Sequence, residues 1–286
     1  MNPETNKAVL ITGASSGIGK SCALELDRLG YQVLAGVRNP EDGKALTEIA
    51  SERLTFLIID ICDRTNISSA VNTVAQLVGD RGLYGLVNNA GIAIGAPLEF
   101  IPIPELRQQL EVNVIGQVAI TQALLPQIRQ AKGRVVNIGS ISGRIAFPFM
   151  SAYCASKFAL AALTDGLRME LKPWGIKVVL IEPGTIQTPI WEKSIKFADS
   201  LISKMPQPLY SQLYGTATEN MRNAVLKEGS IIAKPEEVAA AVAIALTAKK
   251  PKTRYLVGDK IYLKAIFALM PDRLRNWMIL KEIGIN

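Results

Sequence analysis

Apolar residues fall along this chain in short dense runs, set apart by longer stretches in which they recur every three or four positions. The runs occupy 7–12, 31–37, 54–59, 83–87, 135–138, 176–181 and 254–257. Each is too short for a helix and apolar at most positions, the pattern of a strand covered on both sides. The stretches 17–29, 64–78, 104–130, 151–171 and 235–248 carry the helical period. Gly30 closes the first of them, as a glycine past a helix end commonly does. Strand and helix alternate along the chain. That order predicts an α/β fold: a doubly wound, seven-stranded, mostly parallel sheet with helices on both faces and ligands at the strands' carboxyl ends.

The alternation breaks after Gly184. Residues 185–233 mix polar, proline and apolar positions, including Met205-Pro206-Gln207-Pro208, with weak periodicity. They read as a long irregular insertion at the crevice mouth, a substrate lid within one domain spanning 1–260. Ile186, Ile190, Trp191, Phe197, Leu201, Leu209 and Tyr214 either line an apolar pocket or pack the lid on the body. The tail, 261–286, is basic and apolar, broken by Lys264 and Pro271. It is too short and too charged to span a bilayer, but suits peripheral contact with a membrane surface or a cover over the pocket. The helices 104–130 and 151–172 are apolar on more than one face, which points to a homodimer or homotetramer.

Composition narrows the chemistry. Apolar residues are 49% of the chain, enough for a core. The net charge of +7 is dispersed, with no basic block beyond Lys249-Lys250-Pro251-Lys252. That argues against nucleic acid as a partner and suits an anionic cofactor. No histidine is present, which excludes histidine triads and most zinc sites, so no metal is expected. Cys22, Cys62 and Cys154 are scattered and read as buried small hydrophobes in a reducing compartment. The N-terminus carries no apolar signal region, so the expected location is cytoplasmic, membrane-associated if the tail docks.

The ends of the runs carry the reactive residues. Thr12-Gly13-Ala14-Ser15-Ser16-Gly17-Ile18-Gly19 joins strand to helix, the context of a phosphate-binding turn. The second run ends at Arg38, where an acid would hold a ribose hydroxyl and an arginine accommodates a 2′-phosphate. NADP is therefore favoured, with NAD the alternative should Glu41 or Asp42 reach over. Asp60 closes the third run, and Asn88-Asn89-Ala90-Gly91 the fourth. A buried Asn113 needs hydrogen-bond partners and also reads as helix-to-core glue. Ser140 ends the fifth run. Tyr153 and Lys157, four apart, share a helix face, and a nearby ammonium should draw the phenol's pKa toward working pH. Glu182-Pro183-Gly184-Thr185 follows the sixth.

T-G-A-S-S-G-I-G, N-N-A-G, the asparagine of E-V-N-V, the strand-end serine, Y-x-x-x-K and P-G arrive in order over roughly 5–260. Together they resemble the short-chain dehydrogenase/reductase family. The resemblance implies a Rossmann fold, with Tyr153 as catalytic acid/base and Ser140 positioning a substrate carbonyl. Asn113 would hold a water, and Lys157 would lower the Tyr153 pKa and bind the nicotinamide ribose. Gly13, Gly17 and Gly19, with Ser15 and Ile18, would form the pyrophosphate turn. Asp60 and Ile61 would meet the adenine, and Asn88, Asn89, Ala90 and Gly91 the cofactor's underside. Pro183, Gly184, Ile186 and Thr188 would hold the nicotinamide end. Gly36-Val37-Arg38 is similar to NADP-preferring members. L-A-G-V-R-N, R-Y-L-V-G and the tail resemble the branch acting on steroids, retinoids and other lipophilic alcohols. The implied function is an NADP-dependent oxidoreductase acting on a small lipophilic alcohol, ketone or aldehyde. The alternatives are an NAD-linked alcohol dehydrogenase or a catalytically silent NADP-sensing protein.

Overall fold

The computed structural model describes residues 7–204, 207–228, 233–282 and 284. Seven strands form one sheet: β1 (Ala8–Thr12), β2 (Gln32–Val37), β3 (Leu54–Ile58), β4 (Gly85–Asn88), β5 (Arg134–Ile138), β6 (Lys177–Pro183) and β7 (Arg254–Val257). Their spatial order is β3-β2-β1-β4-β5-β6-β7, and every pairing is parallel. The order reverses between β1 and β4, and connections leave that point in opposite directions. A crevice opens there at the carboxyl ends, because the flanking turns diverge.

Successive side chains of a strand point to opposite faces, so a doubly covered strand must be apolar throughout. Val9 and Ile11 of β1 face the helices α1 (Gly17–Arg28), α2 (Pro40–Thr47) and α10 (Pro235–Thr247). Leu10 faces α3 (Arg64–Val78) and α5 (Gly116–Gln130), packing with Ile67, Val74, Ile120 and Leu124. The remaining α-helices among the described residues are α4 (Ile103–Leu110), α6 (Ser151–Leu171), α7 (Pro189–Ile202), α8 (Gln207–Tyr210), α9 (Thr216–Glu228), α11 (Ile261–Phe267) and α12 (Asp272–Glu282).

Three sequence expectations need correction. The single helix expected over 104–130 runs as α4 and α5 joined by a π-helical turn, Glu111–Ile115. Its reason is polar. Gln109, Asn113 and Gln117 all bond one strap of chain: Gln109 to Ile94 N–H and Ile92 O, Asn113 to both backbone groups of Ile92, and Gln117 to Ala90 O. Positions four apart drift around an α-helix, and one wider turn keeps all three on the strap. The irregular insertion is in fact helical, formed by α7, α8 and α9 with a second π-helical turn, Ser211–Gly215. Short helices with differing apolar faces blur any single periodicity window. Met205, Pro206 and 229–232 of that insertion lie outside the described residues. The insertion leaves and returns at one place, where Gln187 N–H bonds Ala233 O at 3.0 Å and Ala233 N–H bonds Thr185 O at 3.2 Å. The tail, expected only as a broken apolar segment, folds as α11 and α12.

Candidate active site

The turn after β1 is built by close approach. Gly13 and Gly17 have φ of +65° and +52°, the left-handed region that glycine alone enters without strain. A Cβ on Gly13 would stand 2.9 Å from Ala90 Cα, and one on Gly19 only 2.2 Å from Gly13 O. The N-N-A-G segment fixes this turn from below. Asn89 Nδ2 donates to Thr12 O and Gly13 O, both at 3.0 Å. Thr12 Oγ1 accepts from the N–H groups of Asn89 and Ala90. Ser16 caps α1 without a side-chain bond, and no acid sits in the first turn, so the helix start offers its N–H groups and its dipole to the cleft. This side-chain-free cradle at a helix N-terminus fits a diphosphate.

One cleft collects most of the residues singled out from sequence. Gly13, Ser15, Gly17, Ile18, Arg38, Asp60, Ile61, Asn89, Ala90, Gly91, Ser140, Tyr153, Lys157, Pro183, Gly184, Ile186 and Thr188 all line it. Arg38 is exposed at the lip and makes no ion pair with a described residue. Glu41 and Asp42 lie in the first turn of α2, which Asn39 caps. Asp60 Oδ1 accepts from Cys62 N–H at 2.9 Å, orienting the carboxylate at the rim.

Ser140, Tyr153 and Lys157 meet at the end of β5. All three are buried, at 7%, 7% and 6% exposure. Lys157 Nζ donates to Ile138 O at 2.8 Å and stands 5.7 Å from the centre of the Tyr153 ring. The electrostatics differ from the sequence expectation. Burial pushes the Tyr153 phenol up to about 12, against the hydrogen bond to Ser140 that works downward. Burial also pushes Lys157 down to about 8. Desolvation of the phenolate therefore outweighs the hydrogen bond from Ser140. The phenol is held on the protonated side, suited to donate a proton, while the lysine stays cationic at pH 7 at a cost set by its burial.

Asn113 does not line the cleft. It is fully buried, its Oδ1 accepts from Ile92 N–H, and its Nδ2 donates to Ile92 O and Ser156 Oγ. Ser156 Oγ in turn donates to Tyr153 O at 2.7 Å, so Asn113 ties the Ile92 strap to the helix that carries Tyr153. Gly19 also stays behind the cleft, where it lets α1 close on the turn. Asn88 points away from the cleft, donating to Thr121 Oγ1 and Asn137 Oδ1. Cys62, expected to be buried, is exposed and lines the cleft beside Asp60. Its burial expectation failed because residue type says nothing of which strand end opens.

Several lining residues carry no signal in the sequence: Ile92, Val112, Pro189 and Lys193. Of the seven apolar insertion residues, Ile186, Ile190 and Trp191 line the cleft. Phe197, Leu201 and Tyr214 instead pack with Ile94, Ala96, Ile101 and Ala152, and Leu209 is exposed. A buried ion cluster is equally invisible to spacing. Glu182, fully buried at the end of β6, takes a bidentate pair from Arg144 at 2.8 and 2.7 Å and a bond from Arg254 at 3.0 Å. It clamps the turn that follows Ser140 to the segment leading into Pro183 and Gly184. Its only trace in the sequence is an acid directly before P-G with arginines elsewhere, too weak without the third dimension.

Comparison with known proteins agrees with this geometry. Residues 7–198 match the family model for short chain dehydrogenases. Retinol dehydrogenase 5 of Mus musculus is 36% identical over 97% of this chain and 90% of its own length. The NADPH-dependent 3-dehydrocapnine reductase of Ornithobacterium rhinotracheale is 38% identical over 96% of each chain. A short-chain dehydrogenase from Streptomyces avermitilis superposes with a TM-score of 0.77 at 29% identity, covering 97% of both chains. With a dinucleotide cradle at the sheet's reversal point and these relatives along nearly its whole length, the chain belongs to the short-chain dehydrogenase family and is an NAD(P)-dependent oxidoreductase.

Proposed function

We propose that this enzyme uses NADP and interconverts a bulky lipophilic ketone or aldehyde with its alcohol, working as a reductase. The observation that carries the reading is the pairing, within one cleft, of buried Tyr153, Ser140 and Lys157 with an arginine at the other end that makes no ion pair with a described acid. A nicotinamide held in this cleft would supply hydride-transfer chemistry to a carbonyl carbon. Tyr153 donates the proton to the carbonyl oxygen, and its raised pKa keeps that proton in place until charge develops there. Ser140 would donate a hydrogen bond to the same oxygen, and Lys157, which donates to Ile138 O, would hold the cofactor ribose and favour the phenolate that remains. Asn113 holds the helix geometry through Ser156.

The turn after β1 would hold the diphosphate, Asp60 and Ile61 the adenine, and Arg38 the 2′-phosphate. Pro183, Gly184, Ile186 and Thr188 would flank the nicotinamide. Ile92, Ile190 and Trp191 give the substrate end an apolar wall, and α7 to α9 act as its lid. The names of the relatives, a retinol dehydrogenase and an NADPH-dependent reductase, support a lipophilic substrate and NADP. Exposed Ile115 in the π-helical turn and Phe158, Leu163 and Met169 on α6 support a homo-oligomer, and a cytoplasmic enzyme is part of the same proposal.

The test is steady-state kinetics on a panel of lipophilic ketones, aldehydes and alcohols with both cofactors. A charge-assisted bond to the 2′-phosphate contributes about 1.5–3 kcal/mol, so Arg38→Asp should lower kcat/KM with NADPH by about 10- to 150-fold and leave NADH use nearly unchanged. Equal use of both cofactors by the wild type, unaltered in Arg38→Asp, would refute the NADP assignment.

A further inference from the structure

The tail helices α11 and α12 leave their largest apolar residues outside. Tyr262, Leu263, Ile266 and Leu269 are exposed, the last at 82%, while Ile261 is buried. Their spacing puts the exposed set on one face of α11 and the turn that follows it. On α12 the exposed set is Leu274, Trp277 and Met278, again three and four apart, with Ile279 turned inward. Arg275 of α12 donates to Ala268 O at the end of α11 at 3.1 Å, and within α12 it pairs with Asp272 Oδ1 at 2.6 Å. Both short helices therefore hold apolar residues outward. Nothing among the described residues covers them. A soluble surface seldom leaves so many large apolar side chains of neighbouring segments exposed without a partner.

Charge identifies the occupant. Residues 260–282 hold five basic residues, Lys260, Lys264, Arg273, Arg275 and Lys281, against the acids Asp272 and Glu282. Lys281 lies over the Trp277 ring at 5.0 Å. Aromatic rings and long cationic side chains around an apolar stripe match the boundary between acyl chains and headgroups. The same excess of positive charge would repel a second copy of the patch. We infer that α11 and α12 dock this enzyme on the surface of an anionic lipid bilayer.

Position links docking to the reaction, and this step rests on the lipophilic substrate proposed above. Ile261 packs with Ile141 and Ile145, in the turn that follows Ser140. Its Cδ1 would stand 3.1 Å from a Cβ on Gly184, which lines the cleft. The docking face is thus one residue layer from the substrate end. Docking would hold the cleft close to the bilayer in which an apolar carbonyl compound dissolves.

Flotation of the full chain with vesicles tests the docking, using phosphatidylcholine alone and phosphatidylcholine mixed with phosphatidylglycerol. Wild type should float with the anionic mixture, bind far less to phosphatidylcholine alone, and release as salt rises. Leu263→Asp/Ile266→Asp should weaken binding about tenfold or more, since two exposed apolar contacts are lost. Arg273→Glu should weaken it about fivefold or more. Both variants should keep wild-type turnover of a short water-soluble ketone, which shows that they fold. A wild type that stays with the soluble fraction overturns the inference. So does a double variant that floats like wild type, or one whose only change is loss of self-association. Vesicle binding without turnover of any lipophilic carbonyl would support docking and defeat the functional reading instead.

Discussion

Lys157→Met offers a direct reading of the site's electrostatics through stability. The lysine is 6% exposed, and burial takes its pKa from 10.5 to about 8. Each pH unit between those values is about 1.4 kcal/mol, so holding the ammonium at pH 7 costs the folded cofactor-free chain about 3 kcal/mol. Between pH 8 and 10.5 the unfolded chain binds more protons than the folded one, so wild-type stability gains about 3 kcal/mol as pH rises through that window. Methionine fills the space without the charge. It also gives up the bond to Ile138 O, worth about 1 kcal/mol. The variant should therefore be about 2 kcal/mol more stable than wild type at pH 7, and about 1 kcal/mol less stable once the penalty is relieved near pH 10.5. Tyr153, pushed up to about 12, loses stability from pH 10 upward in both proteins and so cancels in the difference. Urea denaturation of both cofactor-free proteins from pH 6 to 10.5 provides the measurement. A stability difference that is flat with pH, or a variant already weaker at pH 7, refutes the argument. The variant's loss of turnover would show that the buried charge is retained for chemistry at the expense of stability.

Other outcomes follow from single contacts. Tyr153→Phe should lower kcat by about 10²- to 10⁴-fold while NADPH affinity, measured by fluorescence titration, stays near wild type. Gly19→Ala places a methyl 2.2 Å from Gly13 O, so it should weaken cofactor binding and lower Tm together. Glu182→Ala leaves Arg144 and Arg254 without their buried partner and should destabilise by about 3–5 kcal/mol in denaturant titration, with Glu182→Asp recovering part of it.

Much of the site is legible in the sequence because its chemistry is carried by local spacing. Tyr153 and Lys157 share a face once residues 151–171 are helical. The glycine turn needs only a strand before it and a helix after it. Arg38, Asp60 and Ser140 stand out because carboxyl ends of parallel strands converge. What stays hidden depends on residues distant in sequence. Asn113 points toward a ligand role, yet its partners are Ile92 and Ser156, so it supports Tyr153 from behind. The Glu182 cluster joins positions 144, 182 and 254, and no period links them.

By itself the sequence determined the doubly covered sheet, since only strands buried on both faces read as unbroken apolar runs, and it determined which residue types stand at the strand ends. Tertiary structure decided the balance of energies there. Tyr153 was expected to be drawn toward neutrality by its lysine, but the depth of its burial holds it near 12 and carries Lys157 to about 8. Structure also turned the apolar stripes of the tail outward, because the inner faces of α11 and α12 were claimed by the turn after Ser140. Spacing specifies which residues can meet, whereas solvation and outward direction depend on what the rest of the chain places around them.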